Sequence, residues 1–221
     1  MNLEYSSALA EKENSEKLIS QEILMLFDEE QRKEVADELN SLKGWDEGSY
    51  DHSLRTSEMC LEMVKRLKLN ISDKAKDVLV KSALVHDLGK TSIDQEILNS
   101  DVQIPKEQIA EVMGKHVEDG VSIAKNKLGL EKELPLIESH HNYTSPTGEL
   151  TNEQLESIEL LRIADEVDAM LSKRSYKEAF SVEKAQHEII DEFKENTVLG
   201  LEKLYEVVDF LIKFRMQLNQ E

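Results

Sequence analysis

The residues of this chain best suited to chemistry are its six histidines and the carboxylates near them, in particular the adjacent pairs His86-Asp87 and His140-His141. Read at helical spacing, five histidines fall on apolar faces. His86 continues the face of Ala75, Val78, Leu79 and Ala83, and His116 that of Ile109, Val112 and Met113. His140 and His141 follow Ile137, and His52 shares a face with Met59, Met63 and Leu67. Asp165 extends the face of Leu155, Ile158 and Leu161. A single histidine on such a face is ordinarily a hydrogen-bonded core residue. Several of them on different helices, with a carboxylate that is costly to desolvate unpaired, would make a polar core that must be fully satisfied. A metal centre meets that need: imidazole suits iron, zinc, manganese or nickel, and a carboxylate can bridge two ions. His187 lies outside this pattern and is expected to be structural or on the surface.

These residues need helices to position them. With 3 prolines and 8 glycines in 221 residues, the chain predicts long helices and few tight turns. Strand signals are nearly absent, and the Asp119-Gly120 pair lies inside a helical stretch. The fold class is all-α. Helices are expected near 50–69, 72–88, 105–128, 131–141, 152–172, 181–196 and 198–218. Ser72 or Asp73 is the expected cap of the second, and Gly89 stands where it should stop. The first 48 residues are charge-dense and helical in pattern, with apolar stripes at Leu18, Ile19, Ile23, Leu26 and Phe27 and at Val35, Leu39 and Leu42. Residues 43–49, with two glycines, read as a loop. The division expected is an N-terminal helical extension over 1–48 and a catalytic domain over 49–221. The stripe Val198, Leu201, Tyr205, Val208, Ile212 and Met216 is expected to complete the bundle. These stripes fit an intrachain core and equally a homodimer.

The order of the motifs resembles a known family. His86-Asp87-Leu88-Gly89-Lys90 resembles the HD-x-G-K signature of the HD metal-dependent phosphohydrolases. Tyr50-Asp51-His52-Ser53 resembles their first ligand segment. The stretch from Lys115 to Gly120 is similar to K-H-P-x-x-G of the HD-GYP subgroup, with Val117 for proline. Glu138-Ser139-His140-His141-Asn142 resembles its double histidine, and the run from Arg162 to Met170 its A-D-x-Y-D-A-M helix, with Val167 for the aromatic. Ser172 to Lys177 resembles S-x-R-P-Y-R/K. The likeness runs from about residue 50 to 190. It departs in two places: Thr144-Ser145-Pro146-Thr147-Gly148 stands where the subgroup has its Gly-Tyr-Pro loop, and Gly48 stands where trinuclear members have a glutamate.

The resemblance implies an HD-domain helical bundle and a binuclear site. His52, His86, Asp87 and Asp165 would hold one divalent metal. Asp87, His116, His140 and His141 would hold the other, with Asp87 bridging. Iron or manganese is the expectation, with zinc, nickel and magnesium as alternatives. Asp87 and Lys90 would be catalytic, Lys90, Arg174 and Lys177 would bind substrate phosphate, and Asp168 would orient a histidine. The implied activity is a cyclic-dinucleotide phosphodiesterase of the cyclic di-GMP type, using a metal-bridging hydroxide. The alternatives are hydrolysis of another nucleotide or phosphoester, or non-hydrolytic nucleotide sensing.

Charge sharpens the partner class. Lys plus Arg is 27 and Asp plus Glu is 46, a net −19, which argues against long nucleic acids and anionic membrane surfaces. No apolar run approaches the roughly 18 residues of a membrane span. The single cysteine, Cys60, fits a reducing cytoplasm, and residues 1–10 lack the order of a signal peptide. Divalent ions and nearby cations would make a small positive pocket on an acidic protein, which suits a small anionic nucleotide.

Overall fold

The computed structural model describes residues 19–98, 106–141, 148–173 and 179–219, the side chains of 106–113 excepted. These residues are helical, with no strand among them. In chain order they form α1 (Gln21–Leu24), α2 (Glu29–Trp45), α3 (Glu47–Arg66), α4 (Asp73–Val85), a 3-10 helix (Leu88–Ser92), α5 (Gln95–Leu98), α6 (Lys106–Asn126), α7 (Leu134–Ser139), α8 (Asn152–Leu171), α9 (Val182–Phe193) and α10 (Leu201–Leu218). The helices α3, α4 and α8 pack on one another at the centre. Around them, α2 covers α3 and the 3-10 helix, α6 covers the 3-10 helix, and α9 and α10 lean on α8. The core is continuous from Ile23 to Ile212 and includes Leu39, Met59, Leu84, Leu161 and Val208.

Local chemistry starts several of these helices. Ser72 caps α4 by accepting from Ala75 N at 3.2 Å, as its sequence position predicts. Thr151 and Gln154 form a reciprocal capping box at the start of α8. The loop expected over 43–49 is reduced to one residue. The Asp46 N–H donates to Leu42 O at 2.7 Å, ending α2. Its carboxylate accepts from Gly48 N at 3.2 Å and Ser49 N at 3.1 Å, starting α3. A Cβ on Gly48 would stand 3.3 Å from the Asp46 carboxylate, so this glycine leaves room for the cap that keeps it helical.

Three other expectations need correction. The helix expected over 72–88 stops at Val85, and the chain then tightens into the 3-10 helix. The helix expected over 131–141 is shorter, Leu134–Ser139, with Pro135 in its first turn. On α10 the buried face is Leu204, Val207, Val208, Leu211, Ile212 and Arg215, whereas Leu201 and Tyr205 are 54% and 52% exposed. The expected and observed stripes share Val208 and Ile212. Packing selects the one that carries Arg215, whose guanidinium finds a buried carboxylate. His187 is a surface residue, as expected, with its side chain 75% exposed.

One approach of backbone to backbone joins the two halves of the future site. A Cβ on Gly89 would fall 1.9 Å from His116 O and 2.5 Å from Gly120 N, so no side chain fits between the 3-10 helix and α6. Gly120 faces it, and a Cβ there would meet His86 O at 3.4 Å, an ordinary contact, so the close approach rests on Gly89. Overpacking of this kind typically costs ~1–3 kcal/mol, and more where both neighbours are backbone. Gly89→Ala is therefore expected to lower unfolding stability by at least about 2 kcal/mol, read as a lower urea midpoint, while Gly44→Ala, with open space around it, is expected to be neutral or stabilising.

Candidate metal centre

Five elements deliver side chains to one buried place. His52 comes from the second turn of α3, and His86 and Asp87 from the junction between α4 and the 3-10 helix. His116 comes from the middle of α6, His140 and His141 from the end of α7, and Asp165 and Asp168 from α8. His86, Asp87, His116 and His140 are each at most 2% exposed. Single ligand atoms of Asp87, His116, His140 and His141 lie within 4.8 Å of one another, and those of His52, His86 and Asp87 form a second such group. Asp87 belongs to both.

Hydrogen bonds fix which nitrogen each ring presents. His86 Nδ1 lies 2.8 Å from Ala83 O and His140 Nδ1 2.6 Å from Ile137 O. A carbonyl accepts only, so each ring carries a proton on Nδ1, and in that neutral tautomer an Nε2 lone pair faces Asp87. Those Nε2 atoms stand 3.5 Å and 4.0 Å from the carboxylate. His116 Nε2 lies 3.6 Å from Asp87 Oδ1 and 3.2 Å from His140 Nε2. His116 can satisfy His140 only by carrying its proton on Nε2, which leaves its Nδ1 a buried atom without a partner among the described residues. His86 Nε2 and Asp87 Oδ1 are likewise buried and unpartnered there. Lone pairs facing a carboxylate across 3.5–4.0 Å repel unless a cation stands between them. The donor set fits divalent metal on both sides of Asp87.

His52 is held differently. Its Nε2 lies 2.8 Å from Asp165 Oδ1 and its Nδ1 2.7 Å from Asp168 Oδ2. Burial pushes this imidazole down, but the hydrogen bonds to the two carboxylates outweigh it and raise its pKa to about 9. Burial, helped by the neighbouring rings, pushes His140 well below the usual histidine range. Burial likewise carries His116 down to about 3 and His141 to about 4. Burial opposes ionisation of Asp87, yet the Lys90 ammonium and the surrounding imidazoles hold its pKa well below the ordinary carboxylate range. Lys90 Nζ donates to Asp87 Oδ2 at 2.5 Å.

The structure thus gathers every expected ligand, His52, His86, Asp87, His116, His140, His141 and Asp165, and sets Lys90 against Asp87. Asp168 is hydrogen-bonded to His52 Nδ1 at 2.7 Å, the contact that an orienting role would need. Arg174, Lys177 and the loop residues 142–147 lie outside the described residues. Two members of the site escaped sequence reasoning. Arg55 Nε and Nη2 donate to the two oxygens of Asp168 at 2.7 Å and 3.0 Å. Arg215, 3% exposed, donates to Asp168 Oδ1 through its Nε. Their signals were a cation one turn after His52 and a lone arginine on the apolar face of α10.

Residues 49–170, more than half of the chain, match the HD domain family. The chain belongs to the HD domain family. The HD domain match spans all the gathered ligands and stops before α9 and α10. The chain is 34% identical over 128 residues to a cyclic di-GMP phosphodiesterase of Vibrio cholerae serotype O1, covering 52% of this chain and 25% of that protein. It is 28% identical over 127 residues to a 3'3'-cGAMP-specific phosphodiesterase 2 of the same organism, covering 54% of this chain and 24% of that protein. The chain spans about a quarter of the length of these curated relatives. Among the described residues of this HD domain protein, no helix is long and apolar enough to cross a membrane.

The directions of these shifts set a pH profile for the chelator-treated protein. His116, His140 and His141 are depressed, so their contribution to stability is complete above the unfolded value near 6.5 and is lost as pH falls toward about 4 and 3. His52 is raised, so its contribution is complete below 6.5 and is lost as pH rises through about 9. Thermal unfolding after chelation should therefore show greatest stability near pH 6.5. His52→Gln should shrink the alkaline decline, leaving the part that the raised Glu166 carboxyl contributes, and leave the acid one.

Proposed function

We propose that this chain is a metal-dependent phosphodiesterase acting on a small cyclic dinucleotide of the cyclic di-GMP type. The observation that carries the reading is the Asp87 carboxylate shared by two imidazole groups, one built from His52 and His86 and the other from His116, His140 and His141. Asp165, 2.8 Å from His52, would complete the first group. Two divalent ions, iron or manganese as the family likeness implies, would lower the pKa of bound water and neutralise phosphoryl oxygens.

The protein's own residues would do the rest. The carbonyls of Ala83 and Ile137 keep the protons of His86 and His140 on Nδ1, so the Nε2 lone pairs of these two rings need no change of tautomer before metal enters, whereas His116 would give up its proton toward His140. Burial of Asp87 at 1% exposure keeps bulk water from competing at the bridging position. Lys90, whose ammonium reaches Asp87, would donate to a non-bridging phosphoryl oxygen brought beside that carboxylate. Arg174 and Lys177 would add cations on the substrate side, as the family likeness implies. The catalytic unit would be 49–221, with 1–48 as a helical extension. Names of both Vibrio relatives support a cyclic-dinucleotide substrate, and the net charge of −19 supports a small anion over a long nucleic acid.

The sequence Thr144-Ser145-Pro146-Thr147-Gly148, in place of a Gly-Tyr-Pro loop, favours a second reading in which the pocket takes another nucleotide or phosphoester. Incubating manganese- or iron-loaded protein with cyclic di-GMP and with 3'3'-cGAMP, and following the linear products by chromatography, separates the readings. Turnover is expected. It should fall to background in Asp87→Ala and about a hundredfold in kcat in Lys90→Met. Tight binding of either nucleotide with no product from the loaded protein would point to sensing and sink the hydrolytic reading.

A further inference from the structure

Asp168 is fully buried and carries a heavier load of donors than a carboxylate outside the ligand set requires. Its Oδ2 lies 2.7 Å from His52 Nδ1 and accepts from Arg55 Nη2 at 3.0 Å. Its Oδ1 accepts from Arg55 Nε at 2.7 Å and also from Arg215 Nε. Arg215 is itself tied down, since Nη2 donates to Ser172 Oγ at 3.1 Å and Nη1 donates to Asn219 Oδ1. The two guanidiniums come from α3 and α10, far apart in sequence, and α10 lies beyond the residues that match the family.

We infer that Arg215 is a positioning residue for the metal centre: from α10 it locks the Asp168 carboxylate that aims the His52 ring. The rest follows from geometry. With both oxygens of Asp168 fixed by arginines, the direction of the His52 Nδ1–H bond is fixed, and with it the direction of Nε2. That nitrogen stands 2.8 Å from Asp165 Oδ1 and 3.8 Å from Asp87 Oδ2, so a turn of the ring would move the donor away from both. Without Arg215, Oδ1 would keep only the Arg55 bond, and Arg55 also leans toward Asp51 at 3.8 Å. Asp168 has no described bond to His116, His140 or His141, so the influence of Arg215 should be confined to the His52 side of Asp87. An ion pair that merely held α10 to α8 would show no such asymmetry.

The inference rests on the metal-centre reading above, and its test has an arm that does not. In the metal-free, 15N-labelled 221-residue chain, the Nδ1 proton of His52 should be protected from exchange and the ring nitrogens should report a fixed donor. In Arg215→Met that protection should be lost. In Arg215→Lys, which keeps charge and fold but lacks the fork, protection should be intermediate. In manganese titration of the same proteins, Arg215→Met should weaken one of two sites by about 10–100-fold and leave the other as in wild type. Arg215→Lys should recover part of that loss. An unchanged His52 proton with two unchanged sites, in Arg215→Met or, should that variant not fold, in Arg215→Lys, would overturn the inference. Failure of wild-type protein to take up metal would instead refute the metal-centre reading, with the exchange measurement still deciding the role of Arg215.

Discussion

The carboxylate of Asp87 organises this molecule. It is buried to 1%, it faces the nitrogens of four imidazoles within about 4 Å, and among the described residues Lys90 is the lysine that reaches it directly. Desolvating such a group is expensive, and the cost is tolerated only when charge of the opposite sign surrounds it. The 3-10 helix supplies part of that compensation through Lys90 and α3 through the raised imidazole of His52, while the depressed, neutral imidazoles of α6 and α7 face the carboxylate and leave the rest to a cation. A bundle held by apolar packing alone would have no reason to direct so many polar side chains inward.

Glycine makes that convergence possible. Gly89 lets the 3-10 helix lie against the backbone of α6 at His116 and Gly120, which sets His86 and Asp87 beside His116. This junction therefore depends on the absence of a Cβ at Gly89. Around the ligands, a second set of polar bonds limits how far they can turn. Backbone carbonyls hold His86 and His140, and Asp168, clasped by Arg55 and Arg215, holds His52. Preorganisation of this sort is what a site needs if it is to bind cations without rearranging.

Much of this was legible in the sequence, because apolar periodicity names the inward face of a helix and a histidine on that face stands out. His52, His86, His116 and Asp165 were each found this way, and the order of the motifs gave their company. What escaped detection has physical causes. A single aspartate, Asp46, can end one helix and start the next, so glycines at 44 and 48 mark no loop. On α10 two apolar stripes overlap, and only the pairing of Arg215 with Asp168 decides which is buried. The roles of Arg55 and Arg215 depend on contacts across more than forty residues of sequence, which no local pattern reports. The −19 charge, which first served only to exclude polyanionic partners, now lies outside a site whose own carboxylates are each answered by a lysine, an arginine or a histidine.

The central claim is that Asp87 lies between two metal ions, and anomalous scattering tests it most directly. Crystals of protein grown with manganese, measured at an energy that maximises the manganese anomalous signal, should show two peaks flanking the Asp87 carboxylate. One should be reached by His52, His86 and Asp165 and the other by His116, His140 and His141. An anomalous map with no peak at Asp87, from protein that elemental analysis also finds free of metal, would contradict the account.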